Sequence, residues 1–228
     1  MRGRILGAAA VLWLTGCAQD PLARHNVYWG LGPFDPPTGP LVAVLATASD
    51  TPAKQGLLYT SMRDAEVAAV YAGRALARLD EPGETESALG EVVYAIEPAE
   101  APAWDAKDYG FVPGWASHGY GLRRALNRMA AELAAASDEG PAAAALRQHV
   151  PPALRCTENT QDRADRVLTL ARELLAEGGE VAPVPTLEQI NEIAEALNRG
   201  VPAPGESGCG LREVERQLNQ VVPAPRTS

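Results

Sequence analysis

Apolar residues return every three or four positions over most of residues 41 to 222, the spacing of helices that bury one face. The longest run is Leu58, Met62, Ala65, Ala69, Ala72, Leu76 and Leu79. Asp50-Thr51-Pro52 precedes it and reads as a cap with proline in the first turn, and Asp80-Glu81-Pro82-Gly83 stops it. The alanines of this seam let a neighbour approach closely, while Arg63, Asp64, Glu66, Arg74 and Arg78 fall mostly on the other faces. Leu89, Val92, Val93 and Ile96 repeat the pattern in a shorter helix that ends before Pro98. Together the two predict an antiparallel helical hairpin. The apolar run Leu41 to Thr47 is too short for periodicity to assign. With helices everywhere downstream and no strand to pair with, a short helix or a buried extended segment is expected.

The period disappears between Pro98 and Gly121. Trp104, Tyr109, Phe111, Trp115 and Tyr120 stand there among Asp105, Lys107, Asp108, Ser117 and His118. Such a long aperiodic stretch inside a compact domain is often functional. Trp104, Asp105, Asp108, Tyr109, Trp115, His118 and Tyr120 are therefore candidates for contact with a ligand or partner. The competing role is packing, with the rings closing the open end of a helical bundle.

Leu122, Ala125, Leu126, Met129 and Leu133 restart a helical stripe, which Ser137 to Pro141 interrupts. Ala142, Ala145 and Leu146 continue it briefly to Pro151-Pro152, placing His149 in a last helical turn beside the carbonyl end of the dipole. Ala164, Val167, Leu168, Ala171, Leu174 and Leu175 define the next helix, up to Gly178-Gly179. Thr186-Leu187-Glu188-Gln189 reads as a capping box for a helix carrying Ile190, Ile193, Ala194 and Leu197, ended by Gly200 and Pro202. Leu211, Val214, Leu218 and Val221 form the last. Short links rich in Pro and Gly predict antiparallel neighbours and a three-helix up-down-up unit, with the starts of its first and third helices at one end. Cys156 and Cys209 lie near those two starts.

The N-terminus follows different rules. Arg2 and Arg4 precede an apolar stretch from Ile5 to Leu14, too short to span a bilayer core of roughly 30 Å. Leu14-Thr15-Gly16-Cys17 then resembles the lipobox of bacterial lipoproteins. The resemblance covers residues 1–17 and implies cleavage before Cys17, lipidation of its thiol and acylation, palmitate-like, of the new terminus. Ala18-Gln19 lacks the aspartate that resembles an inner-membrane retention signal, which implies the periplasmic face of the outer membrane. From Ala18 to Pro40, five prolines and three glycines follow no period and read as a tether. The expected division is a cleaved signal (1–16), the lipidated cysteine and tether (17–40), a helical domain (41–222) and a disordered tail (223–228).

Removal of residues 1–16, with Arg2 and Arg4, leaves 212 residues and moves the formal charge from −9 to −11. Lysine occurs only at Lys54 and Lys107, and the arginines are scattered among glutamates. This leaves no basic stripe for phosphate contacts and argues against nucleic acid. Of three cysteines, lipidation of Cys17 leaves Cys156 and Cys209 as an even pair in an oxidising compartment, so a disulfide is expected. No histidine lies between or beside them, which weakens a metal-site alternative.

Catalytic signatures are absent: no Gly-x-Ser-x-Gly, His-Glu-x-x-His, phosphate-cradling glycine loop or dinucleotide fingerprint occurs in the sequence. Neither an enzymatic activity, a metal nor a cofactor is expected. The expectation is an all-α protein, an irregular multi-helix bundle of antiparallel hairpins with a C-terminal three-helix unit and one long aromatic-rich loop. It would act as an interaction or scaffold module, held to the membrane by the lipid on Cys17 and meeting a protein partner in the periplasm. The alternative is a lipoprotein that binds a small ligand or metal with the 104–120 loop.

Overall fold

The computed structural model describes residues 40–100, 119–136, 142–177, 182–202 and 208–221. Every regular element among them is helical: α1 (Pro40–Leu45), α2 (Leu57–Ala77), α3 (Pro82–Ile96), α4 (Leu122–Ala134), α5 (Ala143–Glu177), α6 (Val184–Arg199) and α7 (Leu211–Leu218), with 3-10 turns at Pro52–Lys54 and Pro98–Glu100. The protein is all-α, as the periodicity predicts. No helix among the described residues is long and apolar enough to cross a membrane.

Two helices organise the packing. α2 meets α1, α3, α4, α6 and α7, and α5 meets α3, α4, α6 and α7, so four helices touch both. α2 is central enough that its N-terminal half is covered on every side. Arg63 is 6% exposed and Asp64 1%, so these two are not the solvated residues their positions suggest. Of the seam alanines, Ala65 and Ala72 are buried and Ala69 is half-buried; Ala68 and Ala75, off the expected stripe, are buried as well, and α3 and α6 pack against this helix. The fully enclosed large side chains are aliphatic, among them Leu57, Ile96, Leu126, Met129, Ile190, Leu197 and Leu218.

Local signals at helix starts are less reliable than the stripes. Pro52 opens only the 3-10 turn, and α2 begins five residues later at Leu57, after Gly56. A side chain at Gly56 would collide with the backbone of Leu45 at 2.7 Å, so this glycine lets α1 fold back onto the start of α2. α6 begins at Val184, not at the expected capping box. The Thr186 and Leu187 N–H groups donate to the Pro183 carbonyl at 3.0 and 3.2 Å, and Thr186 lies inside the helix. Proline at Pro185 needs no donor in a first turn and permits the earlier start. The run at Leu41 to Thr47 is resolved in favour of helix, as α1.

The largest departure from the sequence-based expectation is α5. One 35-residue helix runs straight through Pro151-Pro152, where a stop is expected. It is about 52 Å long at 1.5 Å per residue. The two prolines deprive the carbonyls of Arg147 and Gln148 of helical donors, but both residues are exposed and water can serve them. Val150 and Ala153, flanking the prolines, are buried in the core, so the helix is anchored on both sides of them. Cys156 consequently lies well inside a helix and not near its start.

Between α2 and α3, Arg74 Nη2 meets Glu84 Oε2 at 2.7 Å. Glu91 of α3 is half-buried, and burial raises its carboxyl above the ordinary range while the Arg74 charge works against the shift. Ionised Glu91 therefore opposes folding at neutral pH, and the opposition fades once the pH falls below the range of an unfolded carboxyl. Glu91→Gln is expected to raise the Tm at neutral pH, with the gain vanishing towards about pH 4. Melting curves across that range check it; a lower Tm at neutral pH would show that the attraction to Arg74 prevails.

Candidate functional site

The aperiodic stretch joins α3 to α4 in sequence, and its described flanks meet. Gly121 packs so tightly on Pro98 that a Cβ there would lie 2.5 Å from Pro98 Cδ and 3.1 Å from the Ile96 carbonyl oxygen. Its φ of +88° is also one that L side chains rarely adopt, so glycine is required twice over at this neck. Beside it, Gly119, at φ +71°, passes under the Tyr94 hydroxyl, 2.8 Å from where a Cβ would stand.

Tyr120 sits between the two glycines and points inward, 6% exposed. Its hydroxyl donates to Asp50 Oδ2 at 3.0 Å, and the Arg124 guanidinium lies 4.5 Å from its ring centroid. Burial raises the phenol above its ordinary range, opposed by the charge and hydrogen bond of Arg124, so the hydroxyl stays protonated as a donor. Arg124 Nη2 reaches the same Asp50 oxygen at 3.3 Å, while Arg128 Nη1 pairs with Oδ1. Arg123 turns the other way, with Nε 3.2 Å from Asp165 and Nη1 3.7 Å from Glu97. The first turn of α4 thus holds two arginines and no acid, a poor match to the positive end of a helix dipole. The compensating carboxylates come from Asp50, after α1, from Glu97, after α3, and from Asp165 of α5. The arrangement is an electrostatic clasp that fixes where the stretch re-enters the body.

Tyr120→Phe removes the hydrogen bond while keeping the ring, and it is expected to cost about 1 kcal/mol. Urea unfolding measures it. No loss of stability would mean that the clasp rests on the arginines alone.

Of the residues singled out in the sequence, Cys17, Trp104, Asp105, Asp108, Tyr109, Trp115 and His118 lie outside the described residues. Tyr120 lies within them, with its hydroxyl and one ring face engaged by the body. Cys156 and Cys209 are bonded to each other, with Cα atoms 5.3 Å apart. His149 is not in a last turn; it stands early in α5, and its Nδ1 lies 2.8 Å from Gln217 Oε1 of α7. The Gln217 amide nitrogen donates to Glu213 Oε1 at 2.6 Å, which leaves the amide oxygen to accept and puts the His149 proton on Nδ1. Among the described residues, no group of three His, Cys, Asp or Glu is placed to hold a metal ion.

Asp50, Arg124 and Arg128 were not legible as a set. Asp50 resembles a helix cap in sequence, and the arginines resemble a solvated face. Only the spacing of Tyr120 and Arg124, one helical turn apart, hints at their contact. The chain matches no family profile, no curated protein and no solved structure.

Proposed function

We propose that this protein is a lipid-anchored helical module of the bacterial periplasm, held by Cys17 at the outer membrane and presenting its helical body to a protein partner. The observation that carries the reading is the Cys156–Cys209 disulfide, a structural cross-link of the kind favoured in oxidising compartments. It agrees with the compartment implied by Leu14-Thr15-Gly16-Cys17. The internal engagement of Tyr120 supports packing over ligand contact for the return end of the aromatic stretch. The body in this reading is an irregular bundle of antiparallel hairpins, closed by an up-down-up unit of α5, α6 and α7; mutual contacts among those three helices support it.

The test is membrane fractionation with acyl-chain labelling. The wild-type chain is expected to label and to sediment with membranes, and Cys17→Ala to do neither. A Cys17→Ala variant that still sediments after the same processing would defeat the anchor.

A further inference from the structure

The two halves of the disulfide stand in unlike surroundings. Cys156 is fully buried in α5, with buried Ala153 one turn before it and buried Thr157 and Thr160 just after. Cys209 is half-buried, in the short connection between Gly208 and Gly210 that leads into α7. Polar groups reach both cysteines: Thr160 Oγ1 donates to the Cys156 backbone oxygen at 2.8 Å, while on the Cys209 side a donor meets the sulfur itself. Asn159 Nδ2 lies 3.6 Å from the Cys209 sulfur, and Arg163 Nη1 donates to the Cys209 backbone oxygen at 2.6 Å, which brings a guanidinium close to the same residue. Cys209 also immediately precedes the N-terminal end of α7, whose unpaired N–H groups favour negative charge. A nearby cation, a donor on sulfur and a helix N-terminus each stabilise a thiolate, whereas apolar burial disfavours one.

We propose that Cys209 is the exchanging sulfur of this pair, the one that meets an external disulfide oxidant, with Cys156 as the buried resolving cysteine. In the first step the Cys209 thiolate attacks one sulfur of the oxidant's disulfide. A mixed disulfide forms and the oxidant's second sulfur leaves as a thiolate. In the second step the Cys156 thiol gives up its proton to solvent and attacks the Cys209 sulfur, expelling the oxidant's first sulfur as a thiolate. Two cysteines have then lost two electrons, and one disulfide of the oxidant has become two thiols. Reduction by an external thiol follows the reverse path, with attack at Cys209 and Cys156 as the leaving group. The proposal rests on the surroundings of the disulfide and not on the lipid anchor.

The probe is oxidised glutathione, applied to the native single-cysteine variants with Cys17 replaced by alanine throughout. Cys156→Ala is expected to accumulate a glutathione adduct on Cys209 at least about tenfold faster than Cys209→Ala does on Cys156. A second measurement does not depend on the variants folding. The reduced protein with both cysteines present is pulsed with limiting iodoacetamide and then mapped by mass spectrometry, with label expected on Cys209 first. Equal labelling of the two cysteines under native conditions, or earlier labelling of Cys156, would overturn the proposal. The preference is expected to vanish in urea. If it survives unfolding, it comes from local sequence, and the structural argument is wrong.

Discussion

Replacing both Cys156 and Cys209 with alanine is expected to lower the stability of the body by about 4 kcal/mol, the closure entropy of a loop whose ends are 53 residues apart. The bond ties the start of α7 to the middle of α5, and α7 is only 8 residues long. Such a helix is not stable alone; it depends on the burial of Leu211, Val214 and Leu218 and on this cross-link. The rest of the fold should survive, because α2, α3, α4 and α6 share a core that does not need the bond. A two-state melt is expected to shift down by about 8–16 °C. Helical content before the transition should be nearly unchanged. A loss below about 1 kcal/mol would mean that the unfolded chain is already compact across this loop.

Gly200→Ala is expected to be damaging through the backbone alone. Gly200 ends α6 at φ +76° and ψ −178°, a region that essentially only glycine occupies. A Cβ there would lie 2.2 Å from the Gly208 oxygen, 3.0 Å from the Gly210 nitrogen and 3.1 Å from the Cys209 carbonyl carbon. All three are main-chain atoms, held by the 2.7 Å hydrogen bond from Val201 N–H to the Gly208 oxygen and by the disulfide at Cys209, so they have little room to yield. The conformational term alone costs up to about 3 kcal/mol, and the collision adds to it. Gly83→Ala is the matched control. Nothing lies within 4 Å of its Cβ position in the first turn of α3, and alanine there is expected to change stability by less than about 1 kcal/mol, in the stabilising direction. Urea unfolding of both variants decides the matter; similar midpoints for Gly200→Ala and wild type would show that the turn opens without penalty.

The apolar stripes were legible because they are local. Six of the seven positions at helical spacing, Leu58 to Leu76, fall in α2 and suffice to mark it, with Leu79 just beyond its end, and the shorter stripes mark α3, α4, α6 and α7 as well. The disulfide was legible for two reasons, even cysteine arithmetic and the compartment implied by residues 1–17. Its geometric rationale was only half right, since Cys209 does stand before α7 while Cys156 lies deep within α5. The stop expected at Pro151-Pro152 failed because a rule about backbone donors cannot weigh the buried contacts of Val150 and Ala153. The capping box at Thr186 failed for a similar reason, with proline's tolerance of a first turn moving the start of α6 upstream.

The sequence by itself determined that the chain is helical, where most of its helices run and that Cys156 and Cys209 pair. Each of these follows from periodicity or counting, which need no knowledge of distant neighbours. Tertiary structure alone decided which polar residues are buried, as Arg63 and Asp64 are in the surrounded half of α2. It alone brought Asp50 to Tyr120, 70 positions away, to close the neck of the aromatic stretch. Such contacts depend on how whole helices are placed, and that placement comes from the burial of many side chains at once; no short motif encodes it.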